Sequence, residues 1–371
     1  MDFPIKDCMK LGFGLMRLPR NSSDEIDVEQ VKKMIDVFFE NGGRYFDTAF
    51  VYGGSEVATK KALVERYPRE SYYLATKLNA ASFACKNEEE AKQEFYTSLE
   101  RLGTEYIDFY LLHALDTNNI PLYEKYHLWD YVKQLKAEGK VKHYGFSFHD
   151  QPEVLEKLLQ DHPDVEFIQL QINYADWDDV IVKSRECYEI AEKYNVPVVV
   201  MEPVKGGTLA VPPDVVREVF ENADGKASPA SWAVRFSASL PNVMVVLSGM
   251  SNLEQVEDNV SYMKDFKTLS DDEKQVIEEA REALKSIDSI KCTACRYCTP
   301  GCPKKIRIPD IFSSMNTYLM YNNLDRARQT YSWNTEESKA SDCIKCRKCE
   351  KACPQHLKIV EYLEQVAAVL E

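Results

Sequence analysis

An α/β chain is what this sequence predicts: a (β/α)8 barrel over residues 1–285, then a small α-helical domain over residues 286–371. Three observations carry that prediction. Eight short apolar or β-branched runs recur through about the first 250 residues, with amphipathic helical patterns between most of them. A doubly wound sheet would want a Gly-rich phosphate turn after its first strand, and Gly12-Phe13-Gly14-Leu15-Met16-Arg17 is not G-x-G-x-x-G. Eight of the 11 cysteines fall beyond residue 290, in two runs of identical spacing. A length of 371 residues suits one large domain plus a small one.

The strand-like runs are residues 10–16, 45–49, 72–77, 109–113, 143–147, 167–171, 197–201 and 243–248. After the first, Val31, Met34, Ile35, Phe38 and Phe39 repeat at helical spacing until Gly42-Gly43 stops the helix. Ser228-Pro229 opens another helix, with Ser at the cap and Pro at the first turn. Residues 252–263 read as the last outer helix. Ser270-x-x-Glu273 is a capping box for the next, whose Val276, Ile277, Ala280, Leu284 and Ile287 share a face. Residues 309–329 read as one helix carrying Ile311, Met315, Tyr318, Leu319 and Met320, so the C-terminal domain is expected to be helical.

The cysteine runs are Cys292-x2-Cys295-x2-Cys298-x3-Cys302-Pro303 and Cys343-x2-Cys346-x2-Cys349-x3-Cys353-Pro354. This is the ligand spacing of bacterial two-cluster ferredoxins, hence a ferredoxin-like domain with two [4Fe–4S] clusters. Three thiolates of a run hold one cluster, and the fourth, ahead of a proline, reaches the other. The implied sets are Cys292, Cys295, Cys298 and Cys353 for one centre, and Cys343, Cys346, Cys349 and Cys302 for the other. Structural zinc would take two ligands from each knuckle. A disulfide framework fits poorly with the scattered, odd Cys8, Cys85 and Cys187. Clusters also favour a reducing cytoplasm. Residues 1–6 lack the basic and apolar regions of a signal peptide, and no apolar run is long enough for a membrane span.

Net charge is -14, unevenly spread. Residues 291–371 carry 13 Lys+Arg against 9 Asp+Glu, an excess that two anionic clusters would absorb. The rest of the chain is too acidic for a nucleic-acid partner.

Barrel enzymes carry their catalytic groups at the C-terminal ends of strands. Read in order, those ends give Asp47, Lys77, His113, Ser147 and Gln169. Singly, Asp47 could cap a helix, Lys77 could be a solvated strand end and His113 a core histidine. Together with Tyr52 they form an acid site. A phenol near pKa 10 is a weak acid, and a buried Lys77 ammonium is expected to lower it. Asp47 would keep Lys77 charged, and His113 would hydrogen-bond the substrate oxygen.

Several segments resemble the aldo-keto reductases: Phe46-Asp47-Thr48-Ala49-x-x-Tyr52-Gly53-Gly54-Ser55-Glu56, Ala75-Thr76-Lys77 and Ser98-Leu99-Glu100-Arg101-Leu102-Gly103. So do Ile107-Asp108-Phe109-Tyr110-Leu111-Leu112-His113 and Glu138-Gly139-Lys140-Val141. The likeness covers about residues 8–262, and the whole chain is most similar to the bacterial subgroup with a C-terminal ferredoxin-type domain. It implies a TIM barrel that reduces carbonyls with NAD(P)H. Asp47, Tyr52, Lys77 and His113 match the catalytic tetrad, with Tyr52 the general acid. On the cofactor side, Ser147 is followed by Phe148 where the family has asparagine, Gln169 matches the carboxamide-binding glutamine, and Asn173 is a candidate for the missing amide. Met201 stands where the family often stacks a tyrosine on the ring. Ser248, Gln255 and Asn259 occupy the adenosine side, and the basic residues that grip a 2′-phosphate are absent.

The sequence therefore points to an oxidoreductase acting on a carbonyl or related small molecule, with the clusters linking it to a ferredoxin or flavodoxin carrier. Hydride transfer moves two electrons and each cluster accepts one. That mismatch keeps two alternatives open: a flavin in the barrel mouth, or clusters that are structural or redox-sensing. Trp129 and Tyr174 are either substrate walls or packing residues.

Overall fold

Short β-branched and aromatic runs, buried on both faces, can pair only where helices cover the outside, and the chain closes them into a barrel. The structure, a computed structural model, describes Pro4, Ile5 and residues 8–371, so the expectation drawn from residues 1–6 lies largely outside the described residues. The strands are β1 Leu11–Gly14, β2 Tyr45–Asp47, β3 Tyr73–Leu78 and β4 Ile107–Leu115. They continue with β5 Val141–Phe148, β6 Phe167–Gln171, β7 Val198–Met201 and β8 Val243–Ser248. All pair in parallel in chain order, and β8 returns to β1 with Leu11 opposite Val246.

Between and after the strands run α1 Val28–Glu40, α2 Ser55–Thr59, α3 Glu88–Leu102, α4 Ile120–Lys125, α5 Leu128–Ala137, α6 Pro152–Asp161, α7 Ser184–Lys193, α8 Asp214–Ala223, α9 Pro229–Ala238 and α10 Leu253–Met263. Asn252 caps α10 by accepting the Gln255 amide at 2.9 Å. The C-terminal helices are α11 Asp271–Ser286, α12 Ile308–Tyr321, α13 Leu324–Asn334, α14 Lys348–Ala352 and α15 Ile359–Leu370.

Inside the barrel, Tyr45, Ala75, Phe109, Leu111, Phe167, Val199, Val245 and Leu247 form a buried cluster. Gly145 belongs to the same inner register. A Cβ there would stand 2.1 Å from the Phe167 carbonyl oxygen, so only glycine lets β5 and β6 approach. Side chains alternate faces along a strand, so two residues beyond this layer the chain faces inward again. That step leads from Tyr45 to Asp47, from Ala75 to Lys77, from Leu111 to His113, from Phe167 to Gln169 and from Val199 to Met201. Polar residues thus crown an apolar core at the C-terminal mouth.

The chain divides into two units. One comprises the chain through Lys205 together with Ala230–Asp271, and the other Gly206–Pro229 together with Asp272–Glu371. The second unit is helical, and among its described residues there is no strand. Ile290, Ile306, Ile308, Ile311, Phe312, Met315, Ile359, Leu363 and Val366 form its core, into which Cys298 and Cys349 are built. The single helix expected over 309–329 is two. Asn322 adopts the left-handed conformation (φ 52°) and ends α12, and the Asn323 side chain accepts the Arg326 amide at 3.0 Å to start α13. Apolar periodicity continues across the break, so it could not reveal it. Among the described residues no helix is long and apolar enough to cross a membrane.

Candidate functional site

Lys77 is fully buried at the end of β3. Its ammonium donates to Asp47 Oδ1 at 2.5 Å and to the Thr48 carbonyl at 2.7 Å, and lies 3.5 Å from the Tyr52 hydroxyl. Tyr52 stands on the loop after β2. Its ring meets His113 edge-on, with centroids 5.7 Å apart. The loop is pinned by buried polar groups: Ser55 Oγ donates to the Leu15 carbonyl at 2.9 Å, and Glu56 accepts from Thr76 Oγ1 at 2.8 Å and Arg101 at 3.3 Å. Gly54, with φ +79°, makes the turn into α2 that this geometry needs. The four residues separated in sequence therefore meet around one phenol.

His113 sits beside an irregularity. The β4–β5 register shifts between Leu112 and Leu115, and Ala114 has φ 55°. Such bulges re-aim side chains beside active sites. The freed Ala114 amide donates to Ser147 Oγ at 2.6 Å, so Ser147 braces the bulge.

Burial works against the charge on Lys77, but the adjacent Asp47 carboxylate outweighs it and the ammonium is held above its ordinary pKa. Tyr52 departs from expectation. Burial pushes its phenol up, the Lys77 charge pulls it down, and burial wins, so the net direction is upward. A phenolate at the barrel mouth would be poorly solvated, and one ammonium at 3.5 Å does not make up the difference. Burial, with Lys77 adding to it, holds His113 well below 6.5, so its imidazole is neutral at physiological pH. Its Nδ1 is buried without a hydrogen-bond partner.

Of the residues expected at a cofactor, Gln169 is buried and donates to Asp47 Oδ2 at 3.2 Å. Ser147 accepts from Ala114, which leaves its hydroxyl proton free to donate. Met201 and Ser248 end β7 and β8. Gln255 Oε1 accepts the Ser251 amide at 2.7 Å. Asn259 is buried and donates to the Gln255 carbonyl at 2.8 Å, while its Oδ1 has no partner. Asn173 serves the loop around it. It is fully buried, its amide donates to Asp176 at 2.8 Å and the Glu202 carbonyl at 3.2 Å, and its oxygen accepts the Asp176 amide at 2.8 Å. Both ends are hydrogen-bonded within the protein, so it braces the loop after β6. Trp129 stacks on His162 at 3.6 Å and Tyr174 is fully buried against Phe236, so both are packing residues.

Sequence reasoning overlooked Glu202. It follows β7 with φ 56°, forms an ion pair with Arg17 at 3.0 Å, and its charge reinforces the upward shift of Tyr52. A carboxylate directly after a barrel strand was the available signal. Arg17 itself lies close to Gly249, on the loop after β8.

In the C-terminal unit, Cys292, Cys295, Cys298 and Cys353 line one cavity, and Cys302, Cys343, Cys346 and Cys349 line a second. Each set of four thiols surrounds its own space. The two loops repeat in backbone as well as in sequence. Ala294 and Arg296 in one, and Lys345 and Arg347 in the other, all have φ between 52° and 59°. Alternating left-handed residues turn successive N–H groups toward a common centre, a concavity suited to an anion such as a thiolate-bound iron–sulfur cluster. Among the described residues no three His, Cys, Asp or Glu side chains gather closely enough for a single metal ion.

The aldo/keto reductase family model matches residues 10–282, and the 4Fe-4S dicluster domain model matches residues 291–358. Among curated relatives, "Probable aldo-keto reductase 1" of Glycine max is 30% identical over 66% of this chain and 70% of that protein. An aldo-keto reductase of a Mycobacterium sp. (strain MCS) is 26% identical over 67% and 81%. Among solved structures, the holo form of a Bacillus halodurans aldo-keto reductase has 25% identity and a TM-score of 0.60, covering 74% of this chain and 92% of that one. A Klebsiella pneumoniae aldo/keto reductase in complex with NADP and acetate has 21% identity and a TM-score of 0.58, covering 73% and 91%, a likeness of fold.

Proposed function

Because the chain belongs to the aldo/keto reductase family and carries a 4Fe-4S domain, we propose that this oxidoreductase reduces a small carbonyl compound with a nicotinamide cofactor and exchanges single electrons through two [4Fe–4S] clusters. The observation that carries the reading is the buried Lys77 ammonium, fixed by Asp47 and set 3.5 Å from the Tyr52 hydroxyl. Tyr52 keeps its proton through the neutral range and gives it to the carbonyl oxygen as that oxygen gains charge. Lys77 stabilises the phenolate left behind, and Asp47 holds Lys77 in place. Neutral His113 donates an N–H to the same oxygen and orients it.

The nicotinamide, when bound, supplies the hydride. Its carboxamide would need one donor and one acceptor, which the Ser147 hydroxyl and Gln169 Oε1 would offer, and Met201, at the end of β7, would supply an apolar contact. Ser248 and Gln255 serve the adenosine side, where the unpartnered Asn259 Oδ1 suits the adenine amine. Klebsiella pneumoniae relatives solved with NADP and with NADPH support nicotinamide use. Arg17 is the basic group nearest the loop after β8, and its pairing with Glu202 argues against a strong 2′-phosphate preference. The clusters supply one-electron chemistry, held by Cys292, Cys295, Cys298 and Cys353 and by Cys302, Cys343, Cys346 and Cys349. Such clusters suit the reducing cytoplasm.

Anaerobically purified protein should hold about eight iron atoms per chain and a broad absorbance that reductant bleaches. It should reduce members of a small aldehyde and ketone panel with NADH and NADPH at affinities within about tenfold of each other. Stoichiometric zinc without iron, or a flavin released on denaturation, would overturn the reading.

A further inference from the structure

The two cysteine-lined cavities repeat each other in backbone yet differ in charge. Beside the first, Arg296 places its two terminal nitrogens on the Asp310 carboxylate at 3.0 and 2.9 Å, and Arg307 lies 3.3 Å from the same group. These two guanidiniums are thus tied to one largely buried acid. The second cavity is lined by Lys304, Ile344, Cys346 and Arg347. Ile344 is 57% exposed and Cys346 is also exposed, as Tyr297 and Cys295 are beside the first, so it is charge that separates the two rims. Lys345 pairs with Glu364 at 2.5 Å, and Arg347 approaches Glu350 only to 3.9 Å. Lys304, Lys305, Lys348 and Lys351 are exposed, and among the described residues none forms an ion pair.

From this asymmetry we infer that the rim of the second cavity, where Lys304, Ile344 and Arg347 line the opening and the exposed Lys348 follows in the chain, is the docking site for an acidic one-electron carrier protein. The inference rests on the function proposed above and names the partner of its iron–sulfur module. An apolar centre inside a basic rim is the arrangement of a transient interface, in which unpaired rim charges set partner and encounter rate. Small electron-transfer interfaces rely on such steering because they bury little area. One electron leaves the reduced carrier, which is oxidised, and arrives in the cluster held by Cys302, Cys343, Cys346 and Cys349, which is reduced. No bond or proton moves.

The holoprotein should be titrated anaerobically with an acidic [2Fe–2S] ferredoxin by calorimetry, and the rate of electron transfer from that ferredoxin followed by stopped flow. The double variant Lys304→Glu/Lys348→Glu should weaken binding and slow transfer by about tenfold at low ionic strength and flatten the salt dependence. Lys291→Glu, beside the first cysteine run, should leave both within about twofold. Equal behaviour of the double variant and the parent would overturn the proposal. So would equally fast transfer to or from a basic cytochrome, or a 20-bp DNA duplex binding as tightly as the ferredoxin. Iron content and reductant-bleached absorbance are read on the same samples. If both are normal, failure falls on the docking site alone; if iron is absent, the proposed function fails and takes this inference with it.

Discussion

The barrel mouth and the cysteine cavities are built by opposite means. Asp47, Lys77 and His113 arrive at the mouth because each lies two residues beyond an apolar layer on its own strand, and Tyr52 arrives on the loop after β2. Their neighbours are buried whether or not a ligand is present, and the ion pair and hydrogen bonds among them are already made. Each cavity instead takes three cysteines from one tight loop and a fourth from the other run, and these thiols surround space. A site completed by protein groups is preorganised, whereas a site built around its guest depends on that guest for stability.

Removing the guest tests that contrast hardest. Chelating iron under anaerobic conditions, or making Cys298→Ser, should unfold the C-terminal unit while the barrel keeps its own melting transition. Limited proteolysis should then cut first in the segments that belong to that unit, beyond Asp271. A C-terminal unit that melts unchanged without iron would break the comparison. Next in size is Lys77→Met, which leaves the buried Asp47 carboxylate without its partner. The barrel should lose about 3–5 kcal/mol in urea unfolding, and a smaller loss would mean water or another cation reaches Asp47.

Tyr52→Phe removes the phenol beside Lys77, giving up the 3.5 Å contact to its ammonium while keeping the ring against His113. Carbonyl reduction should fall by a factor of about 10² or more, with nicotinamide affinity by fluorescence titration unchanged. Undiminished turnover would assign the proton to another group. In the parent, reduction should stay level through neutrality and decline only above the ordinary phenol range, because Tyr52 acts in its protonated form and its pKa is raised.

The smallest effect concerns acid stability. His113 is held well below 6.5 in the folded barrel, so on acidification the unfolded chain takes up the proton first. The stability that the neutral imidazole contributes is complete above about 6.5 and is lost as pH falls toward the folded-state value. His113→Asn should flatten that part of the melting temperature–pH curve. An unchanged slope would place the effect on other groups, His149 first, whose pKa is also lowered by burial.

The sequence by itself determined the eight-strand barrel, because the β-branched runs and helical repeats are local patterns. It also determined the cysteine runs, because a cluster's ligands come mostly from one short loop. Only the tertiary structure decided what depends on neighbours distant in sequence. The break at Asn322 turns on one residue's backbone sign, which apolar periodicity does not encode. The upward shift of Tyr52 is the net of burial against a charge 25 residues away. Asn173 pairs with Asp176 and the Glu202 carbonyl, and Glu202 with Arg17, pairings invisible until β6, β7, β8 and β1 close the barrel. Local pattern specifies which elements form. Burial and pairing, which set the chemistry of a charged or polar group, are properties of the space that those elements enclose.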